Sequence, residues 1–274
     1  MPILFGGTDE IVSVDDNATL DFGSGNFSCA VWFKHNTLGA AQIGTFVTKY
    51  DITRGFFTEL RQSSGGAISW QVWTNGSANR RVRTSAATGL DDGAWHHATF
   101  VYSGDLPDIY IDGALSNGAT VSSGVMGNIN NAVSLFIGSL RDVASYWDGT
   151  IGEIAFWNTD LSAIQAALLC DSRVKRIPLQ VAPANLVAYW PMDDKPHGTN
   201  ANGDTVLDIS SNTNNGTGDD GAGNVLTWQA EEVLSYPTYI MTPQSIAAAA
   251  APVELIAIRG PFRGINRGIQ RGVA

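Results

Sequence analysis

Four groups of side chains in this sequence have the types and spacing to do chemistry. The first is aromatic. Trp73 stands two residues from Asn75, and Trp147 sits in Tyr146-Trp147-Asp148. Sugar recognition needs an exposed ring beside polar donors in a loop or on a sheet face. Trp73, Asn75, Tyr146 and Trp147 are therefore the candidate carbohydrate-binding residues. Trp70, Trp95 and Trp157 read as core, the more frequent place for an aromatic side chain. The second group is rich in oxygen: Asp15-Asp16-Asn17, Asp148 and Asp219-Asp220. Clustered oxygens suit a hard cation such as calcium, with Asp15, Asp16 and Asp148 as candidate ligands. No spacing demands a metal, no cofactor is required, and solvated turns account for the same residues. The third group is His96-His97. Adjacent residues on a strand point to opposite faces, so the pair cannot share one ligand and reads as structural. The fourth is carboxylate. Glycoside hydrolysis needs two carboxylates flanking the bond, but Glu153 stands alone and the adjacent Glu231 and Glu232 face apart. The expectation is a protein that is not an enzyme.

The elements that must position these groups are short strands. Phe27-Ser28-Cys29-Ala30-Val31-Trp32-Phe33-Lys34 alternates, and Phe27, Cys29, Val31 and Phe33 should face a core. Ala67–Trp73 alternates in the same way, with Ile68, Trp70 and Val72 on one face. Asn75-Gly76 is a turn, since both residues tolerate positive φ; Arg80, Arg81 and Arg83 follow on a strand read as solvated. Residues 3 to 14 read as a first strand pair, with Ile11, Val12 and Val14 near Phe5. A short helix is predicted from Leu161 to Leu169. Ser162-Ala163-Ile164-Gln165 fits a capping box, and Leu161, Ile164, Leu168 and Leu169 make an apolar stripe. Cys29 and Cys170 are read as free thiols more readily than as a bridge, the first in an apolar strand and the second at a helix end.

The order of motifs between Asp91 and Leu169 is Trp95-His96, Tyr110-Ile111-Asp112-Gly113, Ile137-Gly138, and Gly152-Glu153-Ile154-Ala155-Phe156. This order resembles the laminin-G-like, concanavalin-A-like jelly-roll family over residues 1 to 170. The resemblance implies an all-β fold, an antiparallel jelly-roll β-sandwich, with one short helix. It does not imply one function, because this fold hosts lectins, adhesins, enzymes and structural modules. Retaining enzymes of the fold carry Glu-x-Asp-x-Glu on one strand, and no such run occurs here. Leu186-Val187-Ala188-Tyr189-Trp190 and the polar stretch from Asp208 to Thr217 resemble text that opens such domains, yet here they come late. They either complete the first sandwich or begin a truncated repeat; too few residues follow for a second sandwich, so residues 186–236 are expected to pack on the first.

The chain has 274 residues, a hydrophobic fraction of 44% and a charged fraction of 15%. The charged share is well below the usual quarter. A net charge of −10 argues against a body that binds nucleic acid through phosphates. No stretch approaches a membrane span, and Met1–Gly6 lacks the pattern of a secretory signal. After Tyr236-Pro237 the composition shifts to an Ala run, then to Arg259-Gly260, Arg263-Gly264, Arg267-Gly268 and Arg271-Gly272. Gly in every repeat works against a helix, so residues 237–274 are expected to form an extended C-terminal arm after a domain at 1–236. Arg259, Arg263, Arg267 and Arg271 make this arm basic on an acidic body, which suits contact with a neighbouring subunit or another acidic partner surface. The leading expectation is a non-catalytic virion structural protein, a capsid decoration or fibre-type component. Its partners would be capsid or neighbouring subunits in a homo-oligomer, on a virion surface or outside a cell. The alternative is a carbohydrate-binding or adhesive module whose partners are glycans.

Overall fold

The computed structural model describes residues 2–36, 43–61, 65–76, 78–141, 144–170, 177–223 and 225–229. The arm at 237–274, with Arg259, Arg263, Arg267 and Arg271, lies outside the described residues, as do Glu231 and Glu232.

The strands are β1 (Ile3–Gly6), β2 (Ile11–Val14), β3 (Phe27–His35), β4 (Ile43–Tyr50), β5 (Gly55–Arg61), β6 (Ala67–Asn75), β7 (Asn79–Ser85), β8 (Trp95–Tyr102) and β9 (Asp108–Ile111). They continue as β10 (Ala114–Leu115), β11 (Asn117–Ser123), β12 (Leu135–Ile137), β13 (Asp148–Trp157), β14 (Leu186–Trp190), β15 (Thr205–Val206), β16 (Gly216–Asp219) and β17 (Leu226–Trp228). One helix, α1, spans Ala163–Leu168. An eight-stranded sheet runs β10-β9-β8-β3-β13-β1-β17, with β14 also on β13. A nine-stranded sheet runs β11-β7-β6-β5-β4-β12-β2-β16-β15. The two antiparallel sheets pack face to face as a jelly-roll sandwich.

Alternation drives this arrangement. Phe27, Cys29, Val31 and Phe33 of β3 enter the shared core, and so do Ile68, Trp70 and Val72 of β6. Trp70 and Phe100, from opposite sheets, stack at 4.9 Å with their planes 6° apart. Both cysteines are free thiols, and burial pushes the Cys29 thiol well up.

The first two strands are not partners. β1 pairs with β13 and β17, whereas β2 pairs with β12 and β16 in the other sheet. The chain crosses between sheets at Gly6–Glu10, where the buried Glu10 carboxylate accepts from the backbone N–H groups of Thr8, Asp9 and Val225. Both strands still deliver apolar residues to one core, which is why the local pattern suggested a pair.

The late chain supplies strands to both sheets. β14 joins β13, β16 joins β2, and β17 joins β1. Trp190 and Trp228 are fully buried, and their indole N–H groups donate to Asn214 O at 2.8 Å and Asp204 Oδ2 at 3.1 Å.

The outer face of the eight-stranded sheet carries a second cluster. Ala30, Val101, Tyr110, Ala155 and Trp157 pack under Leu161, Ala166, Leu169 and Val181. The capping box of α1 is formed: Ser162 Oγ accepts from Gln165 N, and Gln165 Oε1 accepts from Ser162 N. The predicted stripe is only partly right. Leu161 and Leu169 are buried, but Ile164 is 74% exposed. A helix of six residues cannot sustain a stripe across its turns; it lies on Ala166, close to the tight β9–β10 turn at Asp112-Gly113, where a Cβ on Gly113 would stand 2.7 Å from Cys170 Sγ.

Candidate functional site

The opposite outer face, that of the nine-stranded sheet, carries a layer of aromatic and charged side chains. Among the described residues no helix packs on it. The register sets Tyr50, Gly55, Trp73 and Arg80 in one row across β4, β5, β6 and β7. Gly55 has no side chain, so the rings on either side of it meet. Tyr50 and Trp73 stand edge to face at 5.5 Å. Phe57, one row along, lies 4.9 Å from Tyr50 and 5.9 Å from Trp73. The Arg80 guanidinium lies over the Trp73 ring, 5.1 Å from its centre. Such a contact is worth about 0.5–1 kcal/mol at an exposed site.

Polar groups fix this layer from below. Trp73 Nε1 donates to Gln71 Oε1 at 3.2 Å, and Gln71 Nε2 donates to Glu59 Oε2 at 2.8 Å. Arg61 donates to the same carboxylate oxygen from Nε at 2.9 Å and from its terminal nitrogen. The Tyr50 hydroxyl donates to Ile52 O at 2.7 Å. Burial pushes the Tyr50 phenol up, opposed by the positive charges of Arg141 and Arg80. Tyr50, Phe57, Glu59 and Gln71 are buried, whereas Trp73, Arg61 and Arg80 are half-exposed. The surface offered to solvent is therefore an indole flanked by guanidinium donors, held from beneath.

The four residues proposed for sugar do not form one group. Trp73 is at the centre of this layer. Asn75 is exposed at the end of β6, facing Asn79 across the hairpin, with Gly76 at φ +52° completing the predicted turn. Tyr146 is half-buried. Trp147 contradicts the expectation of exposure: it is 0% exposed, packed against Phe33, His35 and Phe46. Its chain segment continues the strand pattern beside β4, where Thr45 N donates to Ser145 O at 2.9 Å, and that pattern turns the indole inward. Trp95, expected in the core, is half-buried on the outer face of the other sheet. Alternation alone does not say which face of a strand is covered.

The oxygen-rich residues are engaged elsewhere. Asp16 pairs with the buried Lys49 ammonium at 2.6 Å, Asp15 is exposed, and Asp148 accepts from Asn36 Nδ2 at 2.6 Å. Among the described residues no three His, Cys, Asp or Glu side chains could hold a metal ion together. His96 and His97 do face apart, toward Phe33 and Trp32 respectively. Arg81 and Arg83 are not simply solvated. They turn toward the sandwich edge and donate to backbone carbonyls of Ser123 and Pro107. Sequence reasoning missed Tyr50, Phe57 and Arg80 as neighbours of Trp73; the available signal was Gly55 opening the strand between them.

Residues 5–167 match the sequence family described as the concanavalin A-like lectin/glucanases superfamily, Laminin_G_3. The chain belongs to this superfamily. No curated protein matched. Among solved structures, a candidate carbohydrate-binding protein from Bacteroides ovatus has 16% identity and a TM-score of 0.54, over 80% of this chain and 58% of that one. A heptameric SAP-like pentraxin from Limulus polyphemus has 16% identity and a TM-score of 0.47, over 64% and 84%. The CBM40 of a Ruminococcus gnavus sialidase has 14% identity and a TM-score of 0.45, over 61% and 97%. At these identities the likeness is one of fold. The superfamily match ends at residue 167, although the sandwich takes strands from as far as Trp228.

Proposed function

We propose that this protein is a carbohydrate-binding or adhesive module, and that the face around Trp73 is its binding surface. One observation carries the reading: a half-exposed indole held by Gln71, with the Arg80 guanidinium beside it, on a sheet face that no described helix covers. A sugar ring presents C–H groups to an indole and hydroxyl oxygens to guanidinium donors, and both partners are held here before a ligand arrives. Superfamily membership and the fold shared with the Bacteroides ovatus protein support this reading above the virion one. The test is a glycan array followed by titration calorimetry of the best ligand. Trp73→Ala is expected to weaken binding at least about tenfold, as loss of an aromatic anchor does, while unfolding stays cooperative. An unchanged affinity would move the site off this face.

The virion reading rests on the four Arg-Gly steps of residues 259–272. We keep it as a second proposal, in which the sandwich is displayed on a particle or outside a cell and the arm contacts a neighbouring subunit. Calcium stays a proposal at the level of the loops, with no ligand set assigned.

A further inference from the structure

Lys49 of β4 is 2% exposed, and its ammonium is met by two acids rather than one. Nζ donates to Asp16 Oδ1 at 2.6 Å, to Asn131 O at 2.8 Å and to Val133 O at 3.1 Å. Those bonds use all three of its protons. Asp21 Oδ1 lies 3.4 Å from the same nitrogen, buried and with no hydrogen bond among the described residues. Two carboxylates thus share one cation, and the second is placed to accept a proton.

The local chain produces this meeting. Asn17 Oδ1 accepts from Thr19 N at 3.0 Å and starts a single tight helical turn over Ala18–Leu20. Leu20 is buried and anchors the turn. Asp16 and Asp21 flank it, so one turn brings both acids to one place. On the other side, Asn131 Nδ2 donates to Lys49 O at 3.3 Å and to Arg54 O at 3.2 Å, which keeps the carbonyls of Asn131 and Val133 against the ammonium. The nitrogen and the carboxyl group it faces are therefore held by separate stretches of backbone. A salt bridge needs one acid; amide formation needs an amine, a carboxyl carbon and a group that moves protons.

We propose that Lys49 and Asp16 join in an intramolecular amide, with Asp21 as the proton carrier. Asp21 takes one proton from the ammonium, and the freed amine attacks Cγ of Asp16. The Nζ–Cγ bond forms and one Cγ–O bond breaks. Asp21 returns its proton to the departing oxygen, which takes a second from the nitrogen and leaves as water. One ammonium and one carboxylate become a neutral amide, and Asp21 ends as it began. Reactants held in contact reach effective molarities of about 10⁵–10⁸ M, which favours this condensation over its course between free groups in water. The exposed edge of Asp16 gives the water a way out. β12 lies between β2 and β4 in the sheet, so the link fastens the chain after β2 to β4 across it. It closes residues 16–49 into a covalent loop, which restricts the unfolded chain as a disulfide does. The inference is independent of the Trp73 reading.

The test is mass spectrometry of the denatured full chain and of its tryptic peptides. The parent is expected to be lighter than its sequence by one water. Trypsin should fail to cut at Lys49 and should release a branched peptide, the one ending at Lys34 joined to residues 35–54. This is read in the parent, so it does not depend on a variant that folds. Lys49→Arg, which keeps the cation, should have its full sequence mass. In Asp21→Asn, followed after cell-free synthesis, the branch should form at least about a hundredfold more slowly than in the parent, the worth of a general base. The proposal is overturned by a parent of full sequence mass, by a linear peptide that lacks one water (a cyclic imide within the chain), or by a branch that forms as fast in Asp21→Asn.

Discussion

Trp73 and Trp147 each precede a polar residue in the chain, Thr74 and Asp148, and have opposite roles. One is half-exposed and the other is sealed among Phe33, His35 and Phe46. The difference is which strand face each occupies. Trp147 stands edge-on to His35 at 4.4 Å, and its Nε1–H has no acceptor among the described residues. Trp147→Ala would open a large cavity and should cost about 3–5 kcal/mol, read from denaturant unfolding. Trp147→Phe should cost less, because it fills most of the space and removes the unpaired donor. A small loss for Trp147→Ala would show that the indole is not packed as described.

Strands β8 and β9 and the turn after β9 are tied by one acid and one imidazole. Asp112 accepts from His97 N at 2.8 Å through one oxygen and pairs with His96 Nδ1 at 2.9 Å through the other. Asp92 lies 3.3 Å from His96 Nε2. The hydrogen bond to Asp112 holds the His96 imidazole above its ordinary range, with burial opposing it. A raised folded value stabilises the protein fully below the ordinary value of about 6.5, and this stabilisation disappears as pH rises through the folded value. The thermal midpoint should therefore fall more between about pH 6 and about pH 8 in the parent than in His96→Gln. His35 acts in the opposite sense. Burial lowers its value, so it costs stability as pH falls. His35→Asn thus separates the two contributions, and identical pH profiles for the parent and His96→Gln would remove His96 from the account.

At the scale of the whole molecule, the sandwich is larger than the superfamily match. β14, β16 and β17 extend both sheets, and the chain after residue 186 brings Trp190, Met192, Val206, Leu226 and Trp228 to the core. A chain ended at Gln180 would leave the β1 and β2 edges unpaired and the core open. It should show no cooperative thermal transition. A chain ended at Pro237 keeps every described strand and should retain glycan binding. Light scattering of that chain beside the full one then tests the arm: an oligomer only in the full chain supports assembly through it, and two monomers remove that role.

The sequence by itself determined most of the local structure. Period-two alternation marked β3 and β6, Asn75-Gly76 marked a turn, and Ser162 with Gln165 marked the start of α1. These signals are short-range and act through the φ/ψ preferences and hydrogen bonds of a few residues. Strand partnership joins distant segments, so only the tertiary structure decided that β1 and β2 lie in different sheets. It also decided that Ile164 is exposed, because burial depends on what another element places above a side chain. The candidate face was legible at Trp73 alone. Its partners Tyr50, Phe57 and Arg80 reach it by register across four strands, a geometry no single stretch of sequence contains.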